Sequence, residues 1–278
     1  MTGRRTPLRR ALIGLAAALI LIWSVGPFIW QFSTSLQMDK ALTSGTPRLI
    51  PDPVTFVHYF NAFVEKGLHR YMINSAIVSA CTTLLCLTVG SLAAFALSRL
   101  RIRGRYGILF LILSVSMFPQ IALVGPLYLL ASALGLLDTY AVLVLTYLAL
   151  CLPIVTWVMF GYFETLPREI DEAARMDGVS TPGLLWYVIL PMSGPGLVTT
   201  GLLAFITAWN EFLFALAFTS DERTQTIPVG IANFTNLYYV PWGDIAAASA
   251  VVTLPLILLV LFFQRHIIEG LTQGGIKE

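Results

Sequence analysis

The chain has 278 residues, of which 57% are hydrophobic and only 12% are charged. Soluble domains carry about 25% charged residues, so this chain is too apolar to fold as one water-soluble domain. The formal net charge of +2 is too small to indicate a nucleic-acid binder. The three cysteines lie inside apolar runs, without the spacing of a disulfide framework or a metal site (Cys81, Cys86 and Cys151). They are predicted to be small residues that face lipid or other helices.

Six apolar stretches are each long enough to cross a bilayer as a helix, which takes about 20 mostly apolar residues. They cover residues 11–32, 72–97, 108–133, 139–161, 196–219 and 245–264. Lipid offers no partner to backbone polar groups, so the spans are predicted to be helices and the fold class to be all-α integral membrane. The first stretch is longer than a signal-peptide core and lacks a small-residue cleavage site, which favours a retained anchor helix.

Lysine and arginine are concentrated on one side of these spans. Six crossings place both termini on the same side, and that side holds 12 of the 17 basic residues. The positive-inside rule then predicts one transmembrane domain, residues 11–278, with cytoplasmic termini. The segments predicted in the cytoplasm are residues 1–10, 162–195 and 265–278. The longer segments predicted outside are residues 33–71 and 220–244. The basic run from Arg99 to Arg105 is expected to anchor two spans at anionic lipid.

The segment 162–195 contains residues that typically begin and end helices, and they indicate two short helices. Pro167 suits a first helical position, and Gly178 suits the left-handed conformation that ends a helix. A second helix is predicted from Thr181, its cap, to Leu190, with Pro191 as its stop. Two short helices joined by a glycine turn form a rigid projection, which we call the knuckle (residues 166–192).

This segment is acidic, with five carboxylates against two arginines. The charged residues are Glu164, Glu169, Asp171, Glu172 and Asp177 against Arg168 and Arg175. A loop that lies on the membrane surface is usually basic, because anionic headgroups repel carboxylates. The acidity and the small residues Ala173 and Ala174 therefore favour docking in a groove of another protein.

A motif in the knuckle resembles a known family. Glu172-Ala173-Ala174, then Gly178, nine further residues and Val188-Ile189-Leu190-Pro191 follow the pattern E-A-A-x3-G-x9-I-x-L-P, with valine in place of the usual isoleucine. This pattern is the EAA loop of ATP-binding-cassette importer permeases. A chance match at this spacing, between the fourth and fifth predicted spans, is improbable.

Further stretches resemble the carbohydrate branch of that family, and in particular the second of its two permease subunits. They are Met117-Phe118-Pro119, Gly125-Pro126-Leu127-Tyr128, residues 135–140, Ala208-Trp209-Asn210-Glu211-Phe212 and residues 270–277. The resemblance covers nearly the whole chain and is greatest to disaccharide importers of the maltose and trehalose kind. It leans toward trehalose, although no single residue fixes the sugar.

The resemblance implies the type I importer permease fold with six transmembrane helices, in the bacterial cytoplasmic membrane. It also implies a homologous permease partner, two ATPase subunits that bind ATP and Mg, and an extracytoplasmic sugar-binding protein. Closure of the ATPase pair would push the knuckle and rock the spans between inward- and outward-open states. The residues that the resemblance assigns to the ATPase contact are Glu172, Ala173, Ala174, Asp177, Gly178, Leu190 and Pro191.

The chain itself carries no catalytic motif in its sequence. A Walker loop needs Gly-Lys followed by Ser or Thr, and none of the three lysines follows a glycine. The histidines lie in loops or at the end of a span, where solvated or interfacial positions are expected (His58, His69 and His266). The sequence therefore predicts a translocation subunit rather than an enzyme, with no cofactor or metal of its own.

Candidate substrate-pathway residues lie in the fifth predicted span. Glu211 is the clearest, because ionisable groups inside spans are functional candidates by default. Trp209, Asn210 and Phe212 flank it, and sugars bind planar polar groups together with aromatic faces. The alternative, given equal weight, is that Asn210 and Glu211 bond to a neighbouring helix and hold the bundle together. Weaker candidates are Asn74, Gln120 and Tyr128.

Two further interpretations stay open at this point. One is an ATPase-independent secondary transporter, which predicts inverted repeats and buried charge pairs in the spans. The other keeps the family but changes the cargo to glycerol phosphate or another polar solute. The polar tail 272–277 is expected to be flexible, and in the resembled family such tails reach the ATPase pair.

Overall fold

The computed structural model describes residues 7–44 and 48–275, and for residues 7–10, 44 and 267–275 it describes the backbone alone. Every regular element within these residues is a helix, so the predicted all-α class is confirmed for them. Three of the basic residues used to predict orientation lie outside the described residues (Arg4, Arg5 and Lys277).

The elements follow one another in chain order with two π-helical turns, Asn61–Glu65 directly after α3 and Leu184–Ile189 directly after α9. The α-helices are α1 (Pro7–Ser35), α2 (Asp39–Ser44), α3 (Val57–Phe60), α4 (Leu68–Arg99), α5 (Arg105–Ser116), α6 (Gln120–Ala133), α7 (Tyr140–Thr165), α8 (Glu169–Met176), α9 (Thr181–Gly183), α10 (Leu190–Met192), α11 (Gly194–Trp209), α12 (Leu213–Phe218), α13 (Ile227–Ala232) and α14 (Trp242–Gly275).

Four helices among the described residues are long and apolar enough to cross a membrane. Their apolar parts are Ala11–Ser35, Leu68–Arg99, Tyr140–Thr165 and Trp242–His266. They coincide with four of the predicted spans, at 11–32, 72–97, 139–161 and 245–264. The tail 272–277, predicted to be flexible, is helical as far as Gly275. It contains no proline that would end the helix, and each glycine lowers the stability of a helix by only about 1 kcal/mol. Residues 276–278 lie outside the described part.

The other two predicted spans are not single straight helices. Helices α5 and α6 meet at 87° across residues 117–119, because Pro119 has extended backbone and caps the second helix. The predicted span 196–219 is interrupted at residues 210–212, between α11 and α12. Helix α11 also meets the segment Thr181–Met192 at 84°. With each bent pair counted as one crossing, the described residues hold up to six.

The chain divides into two compact units. The first unit comprises the described residues up to Leu68 together with Ile231–Leu254, and the second comprises His69–Gly230 and the described residues from Pro255 onward.

A buried histidine organises the first unit. The Nδ1 atom of His58 lies 2.7 Å from Asp244 Oδ1, and its Nε2 atom lies 2.8 Å from the carbonyl oxygen of Gln37. Gly243 packs directly against the imidazole ring, so no side chain fits there. The expectation that His58 is solvated is wrong, because these contacts bury it completely. It ties the chain after α1 to the first turn of α14.

Helix α7 is the centre of the second unit. Every fourth residue along one of its faces is buried, at Tyr147, Cys151, Val155, Met159 and Phe163. Such spacing places side chains on one face of a helix. Helices α5 and α11 pack against α7. Cys86 and Cys151 are buried and Cys81 is exposed, which agrees with the prediction that the cysteines face other helices or lipid.

The close approach of α4 to α7 generates the first prediction. A Cβ atom at Gly90 would lie 2.6 Å from Val155 Cγ1. Gly90→Ala is expected to lower the melting temperature in detergent, because overpacking costs about 1–3 kcal/mol. Gly161→Ala on α7 is the control, since no atom lies within 4 Å of its added Cβ. Equal melting temperatures for the two variants would contradict the predicted clash.

Candidate functional site

The knuckle is built around a glycine turn. Leu166 is extended, as the residue before a proline should be, and α8 begins two residues after Pro167 rather than at it. The helix ends in a Schellman motif, in which Gly178 N–H donates to Arg175 O and Val179 N–H donates to Ala174 O, both at 3.0 Å. Gly178 has a φ of 78°, the left-handed conformation that the sequence predicts.

Helix α8 has one buried and one exposed face. Asp171 and Ala174 point into the protein and are each 8% exposed. Glu172, Ala173 and Met176 point outward, and Met176 is 89% exposed although it is apolar. The predicted ATPase-contact residues of this helix are therefore divided, with Ala174 buried and the others accessible.

The second half of the knuckle differs from the prediction at both ends. Ser180, not Thr181, is the cap, because its backbone is extended and its Oγ accepts from Gly183 N at 3.3 Å. The helix also continues through Pro191 to Met192. Pro191 lies in the first turn of α10, directly after the π-helical turn, and a first helical turn is a position that tolerates proline.

This half of the knuckle is anchored by apolar residues. Leu184, Leu185 and Ile189 are at most 2% exposed and belong to the same buried cluster as Ala174. Leu190 packs against that cluster, whereas Pro191 is exposed. Trp186 and Tyr187 are 50% and 82% exposed. The knuckle thus presents acidic and apolar side chains outward on a firmly packed base.

Arg99 is the last residue of α4, and its side chain contacts the end of α7 and the start of the knuckle. Its Nη2 atom donates to the carbonyl oxygens of Phe163, at 2.8 Å, and Leu166, at 3.0 Å. Its Nε atom lies 3.5 Å from Asp171 Oδ2. The prediction that Arg99 anchors a span at lipid headgroups is wrong, because its guanidinium is buried against these protein acceptors.

Arg105 lies at the other end of the short basic run. Its two terminal nitrogens donate to the two oxygens of Glu164 at 3.1 and 3.2 Å. Its guanidinium carbon lies 4.8 Å from the centre of the Tyr106 ring. Arg101 and Arg103 are exposed. Anchoring at lipid therefore stays a prediction for these two residues.

Sequence reasoning missed the pairing of the basic run with the knuckle. Arg168 on the knuckle makes a further contact with the end of α4, because its guanidinium donates to Ser98 O at 3.1 Å. The available signal was a short arginine-rich connection together with acidic residues in 162–195, both predicted on one side of the membrane.

Glu211 lies where α11 and α12 separate. Its carboxylate oxygens accept from the backbone N–H groups of Phe214, at 2.9 Å, and Ala215, at 3.2 Å. It is 8% exposed. Asn210 is exposed, and its amide donates to Ile206 O of its own helix at 2.8 Å. Both side chains therefore bond to backbone groups at a helix end, Asn210 at the end of α11 and Glu211 at the start of α12.

The remaining pathway candidates have different surroundings. Trp209 is buried and stacks on Phe205, whereas Phe212 is 40% exposed. Asn74 is buried, donates to Gln225 O at 2.8 Å and accepts from the Tyr140 hydroxyl at 2.7 Å.

Gln120 begins α6 and is exposed. Tyr128, further along α6, lies with its ring 6.4 Å from that of Phe218 on α12. Tyr128 therefore lies beside the far end of the helix that Glu211 caps. The described residues hold no cluster of side chains suited to a metal ion.

An apolar cavity of about 290 Å³ also lies in this unit. Its walls are formed by Thr83, Leu87, Leu197, Val198, Gly201, Leu202, Phe205, Leu259 and Phe263. A sugar needs polar groups to fix its hydroxyls, so this apolar cavity is unsuited to binding a sugar.

The comparison with protein families identifies the chain. The family described as "Binding-protein-dependent transport system inner membrane component" matches residues 86–273. The chain belongs to this family. The resemblance to importer permeases drawn from the sequence is therefore confirmed.

Relatives with sugar substrates match over nearly the full length of this permease. The trehalose/maltose transport system permease protein of Thermococcus litoralis is 42% identical, over 99% of each chain. The sulfoquinovosyl glycerol transport system permease protein of Agrobacterium fabrum is 39% identical, over 95% of this chain and 92% of that protein. The trehalose transport system permease protein of Mycobacterium tuberculosis is 39% identical, over 93% and 94%.

Solved structures share the fold. A chain of a bacterial ABC transporter that imports the acidic polysaccharide alginate matches with a TM-score of 0.80 and 25% identity, over 95% of this chain and 99% of that one. A bacterial alginate transporter in complex with an alginate pentasaccharide-bound periplasmic protein matches with a TM-score of 0.67 and 16% identity, over 92% and 94%. The predicted importer permease fold is thus confirmed.

The cap formed by Glu211 generates the second prediction. Glu211→Ala leaves two buried N–H groups without their acceptor, so we expect a loss of about 1–3 kcal/mol and a lower melting temperature in detergent. Asn210→Ala is the matched control, because its side chain is exposed and bonds only within α11. A Glu211→Ala variant as stable as the control would contradict the capping role.

Proposed function

We propose that this permease moves a sugar into the cytoplasm as one membrane subunit of an ATP-binding-cassette importer. Membership of the binding-protein-dependent family is the observation that carries the proposal. A homologous second permease would complete the pathway, and alternating access would move the cargo. The permease itself is a transport component, and ATP and Mg would be bound by separate ATPase subunits.

The proposal includes an orientation in the bacterial cytoplasmic membrane. The chain crosses six times, with α5 and α6 together as one crossing, α11 and α12 together as another, and both termini in the cytoplasm. The distribution of lysine and arginine supports this orientation. The knuckle then faces the cytoplasm, on the side where ATP is available.

The knuckle is proposed as the docking element for an ATPase subunit. Its accessible face combines the carboxylate of Glu172 with the small side chain of Ala173 and the exposed apolar side chains of Met176 and Tyr187. Large apolar groups exposed beside charges are typical of a surface that another protein covers. Its packed base supports such a contact, because a rigid element passes a displacement to the spans.

A sugar-binding protein is proposed to dock on the opposite side. The turn after α13 is fixed by Asn236, whose Oδ1 atom accepts from the backbone N–H groups of Tyr238, at 3.0 Å, and Tyr239, at 2.8 Å. It displays Leu237 and Tyr238 at 95% and 96% exposure. An ordered turn with a fully exposed aromatic side chain is suited to protein recognition.

The proposed cargo is a disaccharide such as trehalose or maltose. Relatives named for these sugars, at 42% and 39% identity over almost the whole chain, support it. The relative named for sulfoquinovosyl glycerol supports a second candidate, an anionic glycoside. An uncharged disaccharide is preferred, because no described mid-span basic side chain faces the pathway candidates.

The first experiment is a pull-down followed by reconstitution. We expect the tagged chain, extracted in mild detergent, to bring with it a second permease, an ATPase and a sugar-binding protein. In proteoliposomes the complex should take up radiolabelled trehalose or maltose only with ATP. Repeated recovery of the chain without any ATPase after crosslinking would contradict the proposal and favour an ATPase-independent transporter. Uptake of sulfoquinovosyl glycerol but of neither disaccharide would contradict the proposed disaccharide cargo and favour an anionic glycoside.

The glycine turn of the knuckle generates a further prediction. Gly178→Asp is expected to abolish uptake with little loss of membrane insertion, because a side chain in the left-handed conformation costs about 1 kcal/mol or more and shifts the knuckle. Gly135→Asp is the matched control, since Gly135 also has a positive φ (66°) and lies outside the knuckle. Full uptake by Gly178→Asp at normal expression would contradict the coupling role.

A further inference from the structure

The position of α8 depends on contacts with the rest of the chain. The helix has 8 residues, and isolated helices this short are unstable in water. Its inward face offers two attachments, the small apolar side chain of Ala174 and the carboxylate of Asp171. Ala174 contacts the second half of the same knuckle through the buried cluster. Asp171 is the residue that reaches a membrane span, through Arg99.

Arg99 connects three helices at one point. Its backbone ends α4, its Nη2 atom holds the two carbonyl oxygens at the end of α7, and its Nε atom faces Asp171 on α8. The side chains of Arg99 and Asp171 are only 1% and 11% exposed. Water therefore screens the attraction little, and any displacement of α8 separates two buried charges.

The geometry of this pair indicates a positioning role rather than a stabilising one. Within the described part of the chain, Arg99 Nε and Asp171 Oδ1 have no hydrogen-bond partner, and the closest ion-pair distance is 3.5 Å. A buried ion pair with incomplete hydrogen bonding adds little net stability compared with apolar side chains, but it selects one arrangement of the groups that carry it.

We propose that the Arg99–Asp171 pair latches α8 to the ends of α4 and α7, so that a displacement of the knuckle reaches the spans. The latch rests on the proposed function, in which an ATPase subunit docks on the outer face of α8. It concerns a different link, between the knuckle and its own spans. Arg99 and Asp171 are positioning residues and do not touch the ATPase or the sugar.

The chain provides a matched control beside the latch. Glu164 pairs with Arg105 through two hydrogen bonds, but both side chains are about a quarter exposed and the pair joins α7 to α5. Asp171→Asn and Glu164→Gln each remove one carboxylate charge without changing side-chain shape. The first removes the latch, whereas the second removes only partly exposed pairs, with Arg105 and, at 3.5 Å, with Arg168 at the start of α8.

A distance measurement tests the latch directly. Spin labels at Arg103→Cys and Arg175→Cys, both exposed positions outside the proposed docking face, report on α8 relative to the end of α4, in a chain whose native cysteines are replaced. In the assembled complex we expect a narrow distance distribution that broadens with Asp171→Asn and stays narrow with Glu164→Gln. Arg99→Lys is the second variant. It keeps a charge opposite Asp171, but a lysine lacks the planar fork that serves three acceptors at once, so broadening is expected there too.

Transport provides the functional readout. In proteoliposomes, Asp171→Asn and Arg99→Lys are expected to keep ATP hydrolysis but to lower the trehalose imported per ATP by about tenfold, within the usual range of coupling between sites. Glu164→Gln should stay within about twofold of the wild type, because partly exposed ion pairs contribute little.

The outcomes separate the latch from the proposed function. Narrow distances and wild-type trehalose-to-ATP ratios in Asp171→Asn and Arg99→Lys would overturn the latch and leave the importer intact. A wild-type complex that binds no ATPase, or imports no trehalose with ATP, would contradict the proposed function or its cargo. The distance distributions would still decide whether the pair holds α8.

Discussion

The structure depends on one constraint, which is that a backbone N–H or C=O group in lipid must find its partner inside the protein. Continuous helices meet it everywhere except at their ends. In the second unit two buried charged side chains, Glu211 and Arg99, are placed at such ends. Glu211 accepts from the N–H groups that begin α12, and Arg99 donates to the carbonyl oxygens that end α7. Each charge has the sign that the helix dipole favours at that end.

The same constraint explains why the knuckle is a separate projection. Pro167 forces Leu166 to be extended and so ends α7, and the carbonyl oxygens released there are taken by Arg99. The guanidinium that completes α7 is then also available to Asp171. One side chain thereby contacts both the end of a span and α8. An element held in this way is suited to exchange motion between an ATPase and the membrane helices.

Hydropathy located the long helices because burial in lipid leaves a simple, local signal. It failed at residues 117–119 and 210–212, where the apolar stretch as a whole runs past the point at which the helix stops. At residues 210–212 the interruption depends on the carboxylate of Glu211, which accepts from backbone N–H groups of the next helix. At residues 117–119 it depends on Pro119, because only some of the prolines in the spans end a helix. Pro126, Pro153 and Pro255 lie inside helices that continue. Composition does not distinguish these cases, because the outcome depends on packing around each proline.

The sequence by itself determined the helical class, four of the spans, the left-handed turn at Gly178 and the family, since each follows from local composition or a fixed spacing of residues. Only the tertiary structure decided the roles of individual charges. Arg99 and Arg101 are both arginines in one short basic run, yet the first is buried against Asp171 and the second is exposed. The difference comes from the packing of the end of α4 against α7 and α8, because Arg99 is the last residue of α4 and Arg101 lies beyond it. That packing is set by contacts between residues far apart in the chain, which no local pattern records.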